Sequence, residues 1–457
     1  MTDFQTLISL QLLKNLIQST FFIPSNQPHW LTVPQAWAKL VQFKSNHSLI
    51  KEQIMDYKNT NDAVTRRIRA MVDRVNMLKE NDLYFYNQPI SELRGGARVL
   101  VNGHDMGMYA SYSYLGLVGH PRINAAAKAA VDKYATGTHG VRTLAGSLKL
   151  HDELEATISE FKNTEAAITY TSGYVTNLTV VSTLMGRGDW VISDKLNHAS
   201  IVDGCMMSGA EFRRFRHNDM EELEKRLQQA PSDVSKLVVA DSVFSMDGDV
   251  IDFPRVVELC KKYNAWLMID EAHSLGVLGK TGRGIEEHFG MEDSIDIKMG
   301  TLSKTIPSVG GYVAGKKEII TYLRHASRAY IFSAALPPAQ AAAANEAFKV
   351  ILDEPWRIQK LQVNTDQFIN GIKKRGFDTL LTSTAIVPII CGNDERAFLM
   401  TREAQHHDVF ALPVVSPAVP DGLARLRATV TAAHEPEEIE YAMNVFEKAG
   451  KEIGIIS

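Results

Sequence analysis

The chain has few cysteines, little net charge and no long uncharged apolar run. Its three cysteines are too few and too scattered for a disulfide framework or a zinc site, and they favour a reducing, cytosolic setting. A formal net charge of -4 gives no general attraction to nucleic acid or to an anionic membrane. No apolar segment is long and uncharged enough to span a bilayer. We therefore expect a cytoplasmic globular protein with no nucleic-acid partner, no metal site and no transmembrane segment.

The length and composition are typical of a globular protein with two or three domains. The chain has 457 residues, of which 45% are hydrophobic and 22% are charged. Three prolines and an amphipathic helical pattern set the first segment apart from the rest. We predict four segments: a helical appendage over 1–60, an N-terminal segment of a smaller domain over 61–119, a large domain over 120–340 and a C-terminal small domain over 341–457.

Helix and strand patterns alternate from about residue 120 to residue 320. Most strand patterns are short continuous apolar runs, which are typical of strands buried on both faces. The segments between them, such as Met220–Gln229, have amphipathic helical spacing. This alternation predicts an α/β domain with a large, mostly parallel sheet, and the mixed pattern of the last hundred residues predicts a smaller α+β domain. The predicted strands are 166–171, 189–194, 211–216, 236–243, 265–272, 295–303 and 311–315.

Polar residues follow several of these strands, where open α/β sheets bind their ligands. Ser172-Gly173-Tyr174 opens a helix, and the amides at a helix N-terminus suit a cofactor phosphate. An ordinary helix cap by Ser172 is the alternative. His198 follows the next strand and is placed to lie flat on an aromatic cofactor, the alternative being a solvated loop histidine. Ser245 is placed to donate to a cofactor oxygen, the alternative being turn chemistry around Asp247-Gly248.

Lys304 and Asp270 form the most informative pair of residues. Lys304 follows an apolar strand pattern among small hydroxyl residues, and Asp270 closes the apolar run 265–269. Pyridoxal phosphate (PLP) chemistry needs such a pair, because a lysine forms the Schiff base and an aspartate keeps the pyridine nitrogen protonated. A buried polar network is the alternative for Asp270 and its neighbour His273. Late in the chain, the segment 425–427 places arginines in an apolar stretch, which predicts a carboxylate partner from the protein or the substrate.

Together these features resemble the α-oxoamine synthases, a family of fold-type I PLP enzymes. The resemblance covers about residues 90–445, and the matching motifs occur in family order. Members of the family condense glycine, alanine or serine with an acyl thioester and release carbon dioxide. The motifs are Ser111–Gly116 (SYSYLG), Leu144–Ser147 (LAGS) with His151 and Glu155, Asn197–Ser200 (NHAS), Phe244–Asp249 (FSMDGD), Asp270–His273 (DEAH), Ser303-Lys304, and Ala424–Arg427 (ARLR) with Thr431–His434 (TAAH).

The resemblance implies a role for each matching residue. It implies that Lys304 is the Schiff-base lysine, that Asp270 faces the ring nitrogen and that His198 stacks on the ring. It also implies that His273 and Ser245 donate to the phenolic oxygen. The implied catalytic residues are Lys304, His198, Asp270 and His273. The implied cofactor-binding residues are Ser172, Gly173, Tyr174, His198, Ser245, Asp270, His273, Thr301, Ser303 and Lys304.

The substrate side of the implied site contains Arg427 and Tyr112. Arg427 resembles the residue that holds the amino-acid carboxylate. Tyr112 stands where members that use alanine or glycine commonly carry asparagine, and it is more similar to the serine palmitoyltransferase branch. Ala334 stands where many members place a threonine that reaches the cofactor phosphate of the neighbouring subunit. Serine is therefore a candidate substrate, and one phosphate contact is expected to be missing.

The sequence predicts a fold-type I PLP-dependent transferase, working as a homodimer, with a large PLP-binding domain over 120–340. The predicted reaction is a decarboxylative Claisen-type condensation of serine, alanine or glycine with an acyl thioester, carried by coenzyme A or by an acyl carrier protein, to give an α-amino ketone. One alternative is a glycine C-acyltransferase without obligatory decarboxylation. Another is a non-catalytic partner subunit, but such a chain lacks the lysine that this one has at position 304.

Overall fold

The computed structural model describes residues 62–457. The predicted appendage over residues 1–60 lies outside the described residues. The chain divides into two compact units, one ending at Tyr84 and the other running from Phe85 to Ser457. The described part of the first unit contains helix α1 (Ala63–Glu80), which begins where Asp62 accepts hydrogen bonds from two backbone amides of the first turn. This cap satisfies amides that have no partner within the helix.

The second unit contains three sheets and the helices that cover them. Its strands are β1 (Ile90–Arg94), β2 (Arg98–Val101), β3 (His104–Met108), β4 (Ala166–Tyr170), β5 (Trp190–Asp194), β6 (Glu211–Phe215), β7 (Lys236–Asp241), β8 (Trp266–Asp270), β9 (Ile297–Ser303), β10 (Pro307–Gly315), β11 (Ile386–Gly392), β12 (Val409–Phe410), β13 (Pro413–Val414) and β14 (Ala424–Thr429). Its helices are α2 (Pro121–Tyr134), α3 (Lys149–Phe161), α4 (Gly173–Leu184), α5 (Ala199–Ser208), α6 (Met220–Gln229), α7 (Phe253–Lys262), α8 (Ile285–Phe289), α9 (Lys317–Ala326), α10 (Arg328–Ile331), α11 (Pro338–Asp353), α12 (Trp356–Lys374), α13 (Asp394–His406) and α14 (Pro436–Ile453).

A seven-stranded sheet forms the centre of the second unit, in the order β4-β10-β9-β8-β7-β5-β6. Strands β9, β8, β7, β5 and β6 pair in parallel, whereas β10 is antiparallel to both of its neighbours. All six residues of β7 and the last four residues of β8 are buried, which explains their continuous apolar runs. The predicted large, mostly parallel sheet is therefore confirmed.

The hydrophobic core lies between this sheet and the helices packed on it. Val180 and Val181 of α4 and Ile201 of α5 pack against sheet residues such as Val239 and Met268. Each of these side chains is fully buried. Burial of one such side chain contributes about 1.5–3 kcal/mol to folding, so this layer fixes the sheet and the helices that start at its edge.

The carboxyl ends of the parallel strands bring four polar residues to one edge of the sheet. Asp194 ends β5, Asp241 ends β7, Asp270 ends β8 and Ser303 ends β9. The register of β7 and β8 pairs Asp241 directly with Asp270. Neighbouring strand residues in register lie close together, so the carboxyl groups of Asp241 and Asp270 lie side by side at this edge.

Two smaller sheets complete the unit. The hairpin of β2 and β3 turns at Asn102-Gly103, where both residues have positive φ, and this hairpin belongs to the sheet β1-β2-β3-β12. The other sheet is antiparallel, with β14 between β11 and β13. The predicted smaller α+β domain is thereby confirmed. Among residues 62–457, no helix has the length and apolar character needed to cross a membrane.

Candidate active site

A cavity of about 260 Å³ lies at the carboxyl edge of the large sheet. All ten residues that the sequence predicts for cofactor binding line this one cavity. They come from several strand ends, which explains why residues more than a hundred positions apart in the chain meet here. The other lining residues are Asn177, Ser200, Asp241, Ala272 and Met299.

Lys304 follows β9 and projects its amine into the cavity. Its Nζ lies 2.8 Å from Nε2 of His273. Burial lowers the pKa of the Lys304 amine, and the nearby charge of Asp270 offsets only part of this effect, so that the pKa falls to about 8. At pH 7 roughly a tenth of such amines are neutral, against fewer than about one in a thousand at the ordinary lysine pKa. Lys304 is therefore suited to act as a nucleophile and as a base.

His273 is held by a tyrosine that the sequence analysis did not single out. The hydroxyl of Tyr114, which is fully buried, lies 2.6 Å from Nδ1 of His273. Burial raises the pKa of Tyr114 to about 12, so its hydroxyl keeps its proton and can either donate to Nδ1 or accept from it. Burial and the charges of Lys304 and Arg427 hold the pKa of His273 well below its ordinary value. The neutral imidazole donates from Nε2 to a neutral Lys304 amine, whereas a protonated amine donates to Nε2, so the tautomer of His273 follows the protonation of Lys304.

Asp270 lines the same cavity as Lys304. Both of its carboxyl oxygens accept hydrogen bonds. Asn177 donates to Oδ2 at 2.6 Å, and the amide of Ala272 donates to Oδ1 at 2.8 Å. Burial and the charge of Asp270 raise the pKa of the neighbouring Asp241 well above its ordinary range.

His198 caps the N-terminus of α5 and lies exposed on the cavity wall. Its backbone amide donates to Oδ2 of Asp241 at 2.9 Å, and its Nδ1 lies 2.7 Å from Oγ of Ser200. The side chain of Asn197 donates to the carbonyl of Val239 at 2.8 Å and accepts from the amide of Asp241 at 2.9 Å. These bonds tie the loop that carries His198 to the end of β7.

The start of α4 and the end of β9 form a small polar recess. Ser172 caps the helix by accepting a hydrogen bond from the amide of Val175 at 3.1 Å. A Cβ atom at Gly173 would come within 2.9 Å of Oγ1 of Thr301, so only glycine fits this approach. The hydroxyls of Thr301 and Ser303 lie 2.9 Å apart beside it. A helix N-terminus lined by hydroxyls suits a phosphate group.

Arg427 reaches the site from β14 of the small sheet. Its Nε donates to the carbonyl of Ser245 at 2.6 Å, and its Nη1 donates to Thr429 at 3.0 Å. Its Nη2 is buried and has no hydrogen-bond partner within residues 62–457. The guanidinium lies 4.7 Å from the ring centroid of Tyr112, and Nζ of Lys304 lies 5.7 Å from the same ring. A buried donor without a partner is costly, so this position suits a bound carboxylate.

The second arginine of the same strand has a different environment. Arg425 donates to the carboxylate of Asp247 and, at 3.0 Å, to the carbonyl of Met246. The predicted carboxylate partner of Arg425 is therefore a residue of the protein itself. Arg425 holds the turn between β7 and α7, which contains Met246 and Asp247. Arg427, in contrast, retains a free donor for a ligand.

These residues fit PLP. The recess at Gly173 and Thr301 suits its phosphate, Asp270 offers a carboxylate for its ring nitrogen, and the Lys304 amine has a pKa suited to its aldehyde. Three residues of the cavity and its surroundings were missed in the sequence. Tyr114 lies within the SYSYLG motif, Asn177 follows Gly173 by one helical turn, and Asp241 ends a fully buried strand. The strand-end position of Asp241 is the clearest signal that could have identified it.

The fold and the lysine-centred cavity are those of a PLP-dependent transferase. The chain belongs to the aminotransferase class I and II family, whose sequence model matches residues 108–446. The chain is 42% identical over 391 residues to the 8-amino-7-oxononanoate synthase of Thermoanaerobacter pseudethanolicus, a match that spans 82% of this chain and 99% of the relative. It is 40% identical over 383 residues to the serine palmitoyltransferase of Sphingobacterium spiritivorum, spanning 84% of this chain and 96% of the relative.

Solved structures of serine palmitoyltransferases share the fold. The enzyme from S. paucimobilis, determined with bound PLP and myriocin, has a TM-score of 0.84 and 33% identity and covers 87% of this chain and 100% of its own. The enzyme from Sphingomonas wittichii has the same TM-score, identity and coverage. The predicted fold-type I transferase fold and the resemblance to the α-oxoamine synthases are confirmed.

Proposed function

We propose that this chain is a PLP-dependent acyltransferase that condenses serine, alanine or glycine with an acyl thioester, with loss of carbon dioxide, to give an α-amino ketone. One observation supports this reaction above all. The Lys304 amine, with a pKa of about 8, shares its cavity with Asp270 and lies beside an arginine that has a free buried donor. PLP, when bound, supplies a protonated ring that withdraws electrons from the amino-acid Cα.

The residues that would hold PLP follow from the cavity wall. Ser172, Gly173, Tyr174, Thr301 and Ser303 would surround its phosphate. Asp270 would accept a hydrogen bond from the protonated ring nitrogen, and His198 would lie against the ring face. His273 and Ser245 would donate to its phenolic oxygen. Lys304 would be the lysine that attaches covalently to the aldehyde.

The remaining chemistry is carried by side chains of this chain. Nη2 of Arg427 binds the carboxylate of the amino acid, and the ring of Tyr112 covers that guanidinium. Lys304 removes the proton from Cα, because its lowered pKa leaves a useful fraction of the amine neutral. A bond then forms between Cα and the thioester carbonyl carbon while the carbon–sulfur bond breaks and the thiol leaves. Loss of the carboxylate as carbon dioxide and return of a proton to Cα complete the balance.

We also propose that the chain works as a cytoplasmic homodimer, as expected from the family. We propose that its acyl donor is carried by coenzyme A or by an acyl carrier protein. The proposed domain limits remain 1–60, 61–119, 120–340 and 341–457. Every residue that lines the cavity falls within 120–340, while Tyr112 and Arg427 come from the flanking segments. The amino-acid side of the site would therefore form where the large domain meets the small one.

An absorbance screen tests the proposed reaction. PLP-loaded protein is mixed with glycine, alanine or serine and then with acyl-CoA or acyl carrier protein, and the visible absorbance, carbon dioxide and α-amino ketone are recorded. We expect at least one amino acid to change the absorbance and carbon dioxide to form in equal amount with the product. Product without carbon dioxide would favour the glycine C-acyltransferase. No turnover by the purified chain with any donor would favour the non-catalytic partner subunit.

A further inference from the structure

We propose that His217 is a positioning residue, which bridges the loop that carries His198 to the turn that anchors Arg427. We define the His217 bridge as His217 with its two carboxylate partners, Asp194 and Asp249. The inference rests on the proposed function, because it assigns the bridge to the placement of a cofactor-facing histidine and a substrate-binding arginine. His217 lies outside the cavity and touches none of the groups proposed to react.

The geometry of the bridge is that of a cation held between two carboxylates. Nδ1 of His217 lies 3.1 Å from Oδ1 of Asp194, and Nε2 lies 2.9 Å from Oδ2 of Asp249. The ring also packs edge-on against Phe244, with the centroids 4.3 Å apart. Because both ring nitrogens face carboxylates, both act as donors only when the imidazole is charged. Burial lowers the pKa of His217, but the bonds to Asp194 and Asp249 outweigh burial and raise the pKa to about 10.

The first arm of the bridge reaches the loop that carries His198. Asp194 is fully buried at the end of β5, and its carboxylate also accepts hydrogen bonds from the amides of Leu196 and Asn218, each at 2.8 Å. The chain continues from Asp194 directly through residues 195–197 to His198. Asp194 thus holds the start of this loop through the amide of Leu196. Asp241 holds its end through the amide of His198.

The second arm reaches the turn that anchors Arg427. Asp249 closes the turn 244–249, within which the Phe244 amide donates to the Asp249 carbonyl at 3.0 Å. Ser245 lies in this turn, and its carbonyl accepts the 2.6 Å bond from Nε of Arg427. Movement of the turn would therefore move the guanidinium. One charged imidazole joins two segments that lie on separate loops and that meet the cavity at separate points.

Replacement of His217 by glutamine tests the bridge, since glutamine is neutral and one amide group cannot donate to two carboxylates on opposite sides. His288→Gln is the matched control, because His288 is exposed on the short helix α8. Asp249→Asn removes a single arm and serves as a second variant should His217→Gln fold poorly. Hydrogen exchange is followed by mass spectrometry on the PLP-loaded proteins, and binding of L-serine and L-alanine is followed by the absorbance of bound PLP.

We expect faster exchange in both segments, 194–198 and 243–250, with unchanged exchange in β8. We also expect KM for the amino acid to rise about tenfold with a smaller change in kcat, the pattern for loss of binding that acts through a positioned residue. Faster exchange in only one segment, or in neither, would overturn the bridge. A lower melting temperature of His217→Gln with an unchanged KM would show that His217 has only a structural role. Failure of the wild-type protein to bind any amino acid would contradict the proposed function, whereas the exchange result would still decide the bridge.

Discussion

Nζ of Lys304 and Nε2 of His273 lie 2.8 Å apart, and the hydroxyl of Tyr114 lies 2.6 Å from the other nitrogen of the same imidazole. These three groups place the lysine amine against a histidine whose pKa is lowered by burial and by the charges of Lys304 and Arg427. Burial also lowers the pKa of the Lys304 amine, to about 8. The predictions below follow from this environment and from the groups around it.

The lowered pKa of Lys304 predicts its reactivity in the PLP-free chain. Only the neutral amine reacts with trinitrobenzenesulfonate, so we expect labelling of Lys304 to rise with pH through a midpoint near 8. Peptide mapping by mass spectrometry separates this lysine from the others. In Asp270→Asn the midpoint should fall further, because the charge of Asp270 raises the Lys304 pKa. A midpoint near 10 in the wild-type chain would show that the amine is not desolvated.

Asp270 and Asp241 lie in register on neighbouring strands but are expected to respond differently to the same substitution. Asp270→Asn removes the carboxylate proposed to face the ring nitrogen, and we expect turnover to fall by orders of magnitude. Burial and the charge of Asp270 raise the Asp241 pKa, which favours its neutral form, and Asp241→Asn places a neutral amide of similar shape at this position. Its loss should be much smaller. Steady-state rates of both purified variants check this order, and equal losses would contradict the assignment of the ring-nitrogen partner.

Ala334 predicts a gain of cofactor affinity. The resemblance implies that a threonine hydroxyl is missing here, and Ala334 is exposed and pairs with Val141 in an isolated bridge. Ala334→Thr should tighten PLP binding by at most about 1.5–3 kcal/mol, the range for hydrogen bonds to charged groups. Ala334→Val has the same shape without the hydroxyl and is the control. Equilibrium titration with PLP gives both constants, and equal affinities for the two variants would show that the phosphate is already satisfied.

Tyr112 predicts that serine is accepted as a substrate. Its ring covers Arg427 at 4.7 Å, and the resemblance implies that members using alanine or glycine commonly carry asparagine at this position. We expect L-serine to bind with an affinity comparable to that of L-alanine in spectral titrations of the PLP-loaded enzyme. Tyr112→Asn should shift the preference toward alanine and glycine. Tight binding of alanine without any binding of serine would refute the role of Tyr112 in the choice of amino acid.

Much of the fold and site could be predicted because the relevant signals are local. Asp270 closes an apolar run and Lys304 follows another, so the strand that positions each residue is visible in its own segment. The direction of β10 was not visible, because an apolar run has the same pattern in parallel and antiparallel strands.

Contacts between distant segments could not be predicted from local patterns. Tyr114 and His273 are 159 residues apart, and Asn177 and Asp270 are 93 residues apart. The anchoring of Arg427 by the carbonyl of Ser245 spans 182 residues and involves a backbone atom, which has no sequence signature. The free donor on Nη2 of Arg427 follows from that anchoring and is likewise a property of the folded chain alone.

The central claim is that Lys304 performs decarboxylative condensation in this chain, and Lys304→Ala tests it most directly. Wild-type, Lys304→Ala and the exposed control Lys128→Ala are given the accepted amino acid, labelled at its carboxyl carbon, with the accepted thioester. We predict equal amounts of labelled carbon dioxide and α-amino ketone from the wild type and the control. From folded Lys304→Ala we predict a loss of at least about a thousandfold in both products. Retained formation of both products by Lys304→Ala, or ketone without carbon dioxide from the wild type, would contradict the account.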